Sequence, residues 1–199
     1  MLGKEDTAVK GNFLSALAMF IAVSVTIINV VNPLIVLIGI LIGASIGSLI
    51  ALRVKMTSIP EMVALFNGFG GLATFFIAWS EFNATPDNVF QYVVIMLTTY
   101  IGGVTFSGSI IAYGKLSEKL KIEKNSIITK LFTTLFYLSI LFLIYSIGFT
   151  QLIVLPTDFF TILLILTLLG GIGFVLPIGG GDMPVVISLL NSFSGIAAA

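Results

Sequence analysis

Of the 199 residues, 58% are hydrophobic and only 9% charged, where an ordinary soluble domain carries roughly a quarter charged residues. So little polar material cannot cover a soluble domain of this size, and a net charge of +0 offers nothing for a nucleic acid to hold. With neither cysteine nor histidine, disulfides, thiolate catalysis and the usual zinc sites are excluded, so no catalytic or metal-ligating residue is assigned.

In chain order, uncharged apolar runs predict spans over approximately 11–31, 33–52, 60–80, 89–113, 127–149 and 158–177, with a seventh starting at Pro184. Each of the six is long enough to cross a bilayer as helix. A β-barrel would show alternating segments of about ten residues instead. Lys4 and Lys10 before the first run resemble a secretory signal. The run from about Phe13 to Val31 is too long for one, and no cleavage site follows. Asn32-Pro33, Arg53-Val54-Lys55 and Asn83-Ala84-Thr85-Pro86-Asp87 separate the early spans. Lys115 to Lys124 is expected to extend a helix into water as an amphipathic end, and Pro156 and Gly179-Gly180-Gly181-Asp182 mark the last turns. The seventh run holds 16 residues from Pro184 to Ala199, too few to cross. The expectation is therefore an all-α polytopic membrane protein with six complete transmembrane helices and a truncated seventh, cut from a longer chain.

Threading these spans puts all nine basic residues on one side, with only Glu81, Asp87 and Asp158 as charges in the opposite loops. The positive-inside rule makes the basic side cytoplasmic, or matrix in a mitochondrion.

A parallel internal repeat is also expected. Residues 60–73, PEMVALFNGFGGLA, and 184–197, PVVISLLNSFSGIA, coincide at six of fourteen positions at a constant offset of 124. Both helices would start from the basic side, related by an axis along the membrane normal. In each copy proline opens the helix, where its missing N–H costs nothing. Asn67 or Asn191 follows seven residues later, about 10 Å deeper at a rise of about 1.5 Å per residue. An amide at that depth needs partners. It is either interhelical glue or one of two polar posts lining a water-filled path, and residue type alone does not decide.

Gly39, Gly43 and Gly47 form a G-x-x-x-G-x-x-x-G face suited to close helix packing. Gly102, Gly103, Ser107, Gly108 and Ser109 give the fourth span a small, partly hydroxylated stripe. The string from Gly68 to Ala73 matches a dinucleotide fingerprint formally, but it lies inside a span with no preceding strand. Glu61 and Asp182 sit at the starts of the repeat helices, where carboxylates favour the macrodipole and could also accept a proton or contact a docking domain. No acid or base lies mid-span, so this segment cannot relay protons by side-chain titration alone.

The segments IGGGDMPVVISLLNSFSGIAAA (178–199), IPEMVALFNGFGGLA and GGVTFSGSIIAYGKL (102–116) resemble, in order, the β subunit of proton-translocating NAD(P) transhydrogenases. The resemblance implies that residues 1–199 are the transmembrane proton-channel part of an enzyme coupling proton movement to hydride transfer between NAD(H) and NADP(H). It implies no bound cofactor in this segment, because the NADP(H)-binding domain would follow outside it. Implied partners are an α-type subunit, that domain, the bilayer of a bacterial or mitochondrial inner membrane, and a second copy in a homodimeric complete complex. By resemblance Asn191 matches a proton-pathway position, Asp182 an acid linked to coupling with the NADP(H) domain, and Glu61 an acid at the channel's cytoplasmic mouth. Asn67 falls where some members carry a histidine; others have Asn there and a histidine on the α-type partner. Ser107 and Ser109 lie in a matching small-residue stretch. The alternatives are a secondary transporter or channel unrelated to hydride transfer, or a structural scaffold.

Overall fold

The computed structural model describes residues 5–28, 32–84, 86–124, 126–150 and 157–198. Seven helices account for most of them: α1 (Glu5–Ile28), α2 (Pro33–Arg53), α3 (Ile59–Asn83), α4 (Val89–Leu116), α5 (Ile127–Thr150), α6 (Thr157–Val175) and α7 (Met183–Ala198). Among the described residues there is no strand, and six helices, α1 to α6, are long and apolar enough to cross a membrane. The chain divides into two compact units, α1–α2 and α3–α7.

Local sequence sets the helix starts. Pro33 and Pro60 occupy first-turn positions of α2 and α3, where the proline ring is pre-set for helix and no hydrogen bond is lost. Asn88 caps α4 by accepting from the Gln91 N–H at 2.9 Å. The Gln91 side chain reaches back and accepts from the Asp87 N–H at 2.6 Å, a reciprocal arrangement close to a capping box.

The arrangement of polarity is that of a bilayer protein. Large apolar side chains such as Phe13, Leu41, Phe76, Phe90 and Val185 lie exposed, while Thr99, Thr105, Ser109, Ser139 and Thr167 are buried. The buried hydroxyls are satisfied locally or across helices: Thr99 donates to the Ile95 carbonyl at 2.7 Å, and Tyr100 and Ser139 pair at 3.0 Å. Among the described residues no buried side-chain N or O lacks a partner, as an interior shielded from water requires.

Within the second unit α4 is the hub, packing on α3, α5, α6 and α7. Its glycines let backbones meet. A Cβ on Gly102 would lie 2.7 Å from the Phe75 nitrogen and 2.9 Å from the Gly71 carbonyl oxygen of α3. Gly171 of α6 meets Val104 of α4 as closely. The expected glycine face of α2 behaves differently. Within the α1–α2 unit nothing lies within 4 Å of a Cβ placed on Gly39, Gly43 or Gly47.

The amphipathic helical extension expected over Lys115 to Lys124 does not form. Helix α4 ends at Leu116, and the chain reverses: the Ser117 N–H bonds the Tyr113 carbonyl at 2.9 Å and the Leu120 N–H bonds the Gly114 carbonyl at 2.8 Å. Glu118 takes a φ of 55°, a left-handed conformation that stops a helix and disfavours side chains with a Cβ. α1 begins at Glu5 rather than near residue 11, since no breaker lies in between, and residues 29–31 of the predicted first span fall outside the described residues.

The internal repeat expected from the sequence is not confirmed by the fold; the two helices it aligns share only the way they begin. One 3₁₀ turn, Met56–Ser58, leads into α3, and another, Gly180–Asp182, leads into α7, at the same offset of 124 residues that aligns the sequences. Lys55 and Gly179, which precede the turns, are both extended, with φ/ψ of −77°/148° and −69°/154°. This local likeness does not extend the repeat to the surrounding helices: α3 packs chiefly on α4, and α7 on α4 and α3.

Candidate functional site

The two helices that open alike also face each other. A groove of about 790 Å³ lies between α3 and α7, lined by Asn67, Gly70 and Thr74 on one side and Ser188, Asn191 and Ser194 on the other. Spacings of three and four residues put each set on a single helix face. Both asparagines of the repeat therefore line one space, although 124 positions separate them.

Their bonding differs. Asn67 is half-buried, and its Nδ2 donates to the Ser109 Oγ of α4 at 2.9 Å; Ser109 itself is wholly buried. Asn191 is exposed to the groove and makes no side-chain hydrogen bond among the described residues. Ser194 donates to the Thr105 hydroxyl of α4 at 3.2 Å, closing the back of the groove near its far end.

The remaining expected residues are placed as follows. Ser107 is buried on another face of α4: its Oγ donates to the Gly103 carbonyl at 3.0 Å, and a Cβ on Gly171 of α6 would strike it. It does not reach the groove. Glu61, half-buried, lies in the first turn of α3, and Asp182 is exposed at the end of the 3₁₀ turn before α7. Neither lines the groove; each stands at the start of a groove helix, on the end where the helix dipole is positive.

Thr74, Ser188 and Ser194 were not singled out from sequence. Their signal was available in principle, because Thr74 falls two turns beyond Asn67, and Ser188 and Ser194 flank Asn191 on the same face. Lys115 left no such trace. Its Nζ donates to the carbonyls of Val175 at 3.3 Å, Ile178 at 2.6 Å and Leu176. One cation at the end of α4 thus satisfies carbonyls at the C-terminus of α6 and in the turn that leads to Asp182, where a positive charge also opposes the dipole.

Chemically, the groove lining offers amides and hydroxyls, which both donate and accept hydrogen bonds, and no titratable side chain. It can order a file of water but cannot itself hold a proton.

The profile of the family described as NAD(P) transhydrogenase beta subunit matches residues 1–199. Two curated relatives from Rhodospirillum rubrum, both named NAD(P) transhydrogenase subunit beta, are each 33% identical to the chain over 210 residues. The match covers 100% of this chain and 44% of each relative, so the chain spans less than half the length of the relatives it matches.

Proposed function

This chain belongs to the NAD(P) transhydrogenase beta subunit family, and from that premise we propose that it forms the proton-conducting membrane part of a proton-translocating NAD(P) transhydrogenase. The observation that carries the reading is the groove in which Asn67 and Asn191 meet, with further hydroxyls above and below them. Water held between α3 and α7 by these neutral groups would carry protons by exchange along hydrogen bonds. Asn191 is the residue free to bind that water. Asn67, pinned by Ser109, fixes the wall opposite, and Ser107 lies off the path.

Because the lining has no titratable group, the proton-binding side chain comes from an α-type partner subunit. Glu61 at the start of α3 draws protons to the mouth. Asp182, on the turn held by Lys115, communicates with the NADP(H)-binding domain, so that nucleotide state and groove are linked through the start of α7. In this reading residues 1–199 hold neither NAD(H) nor NADP(H), and hydride transfer between them takes place elsewhere in a complete, homodimeric complex. The assembly lies in a bacterial or mitochondrial inner membrane, with the basic loops on the cytoplasmic or matrix side.

The test is reconstitution of the complete complex in vesicles carrying an internal pH indicator. Hydride transfer between NAD(H) and NADP(H) should drive a pH change, and Asp182→Asn should slow the coupled turnover while assembly stays intact. A pH change independent of nucleotides would instead mark a channel or transporter unrelated to hydride transfer.

A further inference from the structure

We propose that a second pocket, where α4 and α6 end, binds the phosphate-bearing headgroup of an anionic phospholipid. The pocket has a volume of about 270 Å³ and is lined by Lys115, Lys121 and Lys124 together with the turn that follows α6. No Asp or Glu lines it, although Glu118 and Glu123 belong to the same loop, so three lysines and no carboxylate share the lining.

The lysines divide the work. Lys115 has its Nζ engaged by three carbonyls, so its charge is fixed against the turn that follows α6. Lys121 and Lys124 are exposed and make no ion pair among the described residues, which leaves their ammonium groups free to donate to phosphate oxygens. Asp182 points its Oδ2 toward Gly179 on the rim, 3.9 Å from where a Cβ would sit, and does not enter the lining.

Position selects a lipid over a soluble anion or an acidic protein surface. Lys115 is the penultimate residue of the apolar span Val89–Leu116, and the neighbouring span ends at Val175, so the pocket opens at the level where headgroups lie. Its lining is also half apolar: Leu120, Ile122, Leu176 and Pro177 offer a surface for a glycerol backbone and its first methylenes, which free phosphate lacks. Basic pockets between helices at the basic face of a membrane protein take anionic headgroups by this combination. The pocket borders the turn that the proposed function gives to the NADP(H)-binding domain, but lipid selectivity is read without proton pumping, so failure of the one reading is distinguishable from failure of the other.

The probe is spin-labelled phosphatidylglycerol, compared with spin-labelled phosphatidylcholine, added to phosphatidylcholine vesicles holding the membrane complex that contains this chain. The motionally restricted fraction gives the relative association of each lipid. The anionic lipid should be preferred by about fivefold or more, on the scale of one to two lysines at a charged headgroup. The preference should fall to near unity in Lys121→Gln/Lys124→Gln and persist in Lys119→Gln, which removes the same charge outside the pocket. It should also persist in millimolar inorganic phosphate. Equal binding of the two lipids, or a preference untouched by the double substitution, overturns the proposal. Full displacement by inorganic phosphate overturns it in favour of a soluble anion. If the double variant keeps its lipid preference but releases a soluble subunit from the membrane, the pocket docks protein and the proposal fails.

Discussion

Asn67 donates a 2.9 Å hydrogen bond to the Ser109 hydroxyl, and its repeat counterpart Asn191 has no equivalent bond among the described residues. The two aligned amides are therefore not interchangeable. One ties α3 to α4; the other stands in the groove with its hydrogen-bonding capacity unspent.

That asymmetry has a measurable consequence. Asn67→Ala and Ser109→Ala should each lower thermal stability in detergent, and the double variant should lose less than the sum. The coupling is expected at about 0.6–2 kcal/mol, the range of interhelical polar bonds in membranes. Strict additivity would mean that the bond contributes nothing to stability.

Glycines that look alike in sequence should respond oppositely. Gly102→Ala would force a methyl to 2.7 Å from the Phe75 nitrogen, and backbone cannot rotate away, so α3 and α4 must separate at a cost of about 1–3 kcal/mol. Gly70→Ala, on the same helix pair, meets nothing within 4 Å and should stay within about 0.5 kcal/mol of the parent. Thermal melts of the two variants decide the matter; similar losses from both would contradict the packing described.

These cases show what the sequence could and could not carry. Helix number and approximate limits were legible because a long uncharged apolar run finds a stable place mainly as a helix across a bilayer. Pro and Asn breakers then mark its ends, as at Asn32-Pro33 and Pro60. The asparagine pair was legible through the two aligned sequence segments. Partners were not: nothing local at Lys115 announces carbonyls 60 or more positions away, and the Gly39-Gly43-Gly47 spacing is the same whether or not a helix lies against it. The amphipathic extension beyond Leu116 failed because periodicity does not register the left-handed turn at Glu118.

Lys115→Met should loosen the turn after α6. Loss of the ammonium leaves the carbonyls of Val175, Leu176 and Ile178 without their common donor, a destabilisation of about 1–3 kcal/mol. Amide hydrogen exchange over residues 176–182 should accelerate, while α3 keeps its protection. Unchanged exchange in that turn would show that Lys115 does not hold it.

Cysteines placed at Lys119 and Asn83 should react with impermeant reagents from opposite faces, position 119 from the cytoplasmic or matrix side. The two positions lie beyond opposite ends of α4, Asn83 as the last residue of α3 and Lys119 in the basic loop after α4. Labelling of both from one face would overturn the orientation proposed for the groove.

Asn191→Leu tests the central claim most directly, because leucine has similar volume, tolerates an apolar setting and removes only the amide from the groove. Proton pumping by the reconstituted complete complex, measured beside its thermal stability, separates a water-binding post from a structural bond. The account predicts that pumping is largely lost while the melting temperature is retained, since Asn191 has no hydrogen-bond partner within the described residues to lose. Normal pumping by a stably folded Asn191→Leu complex would contradict it.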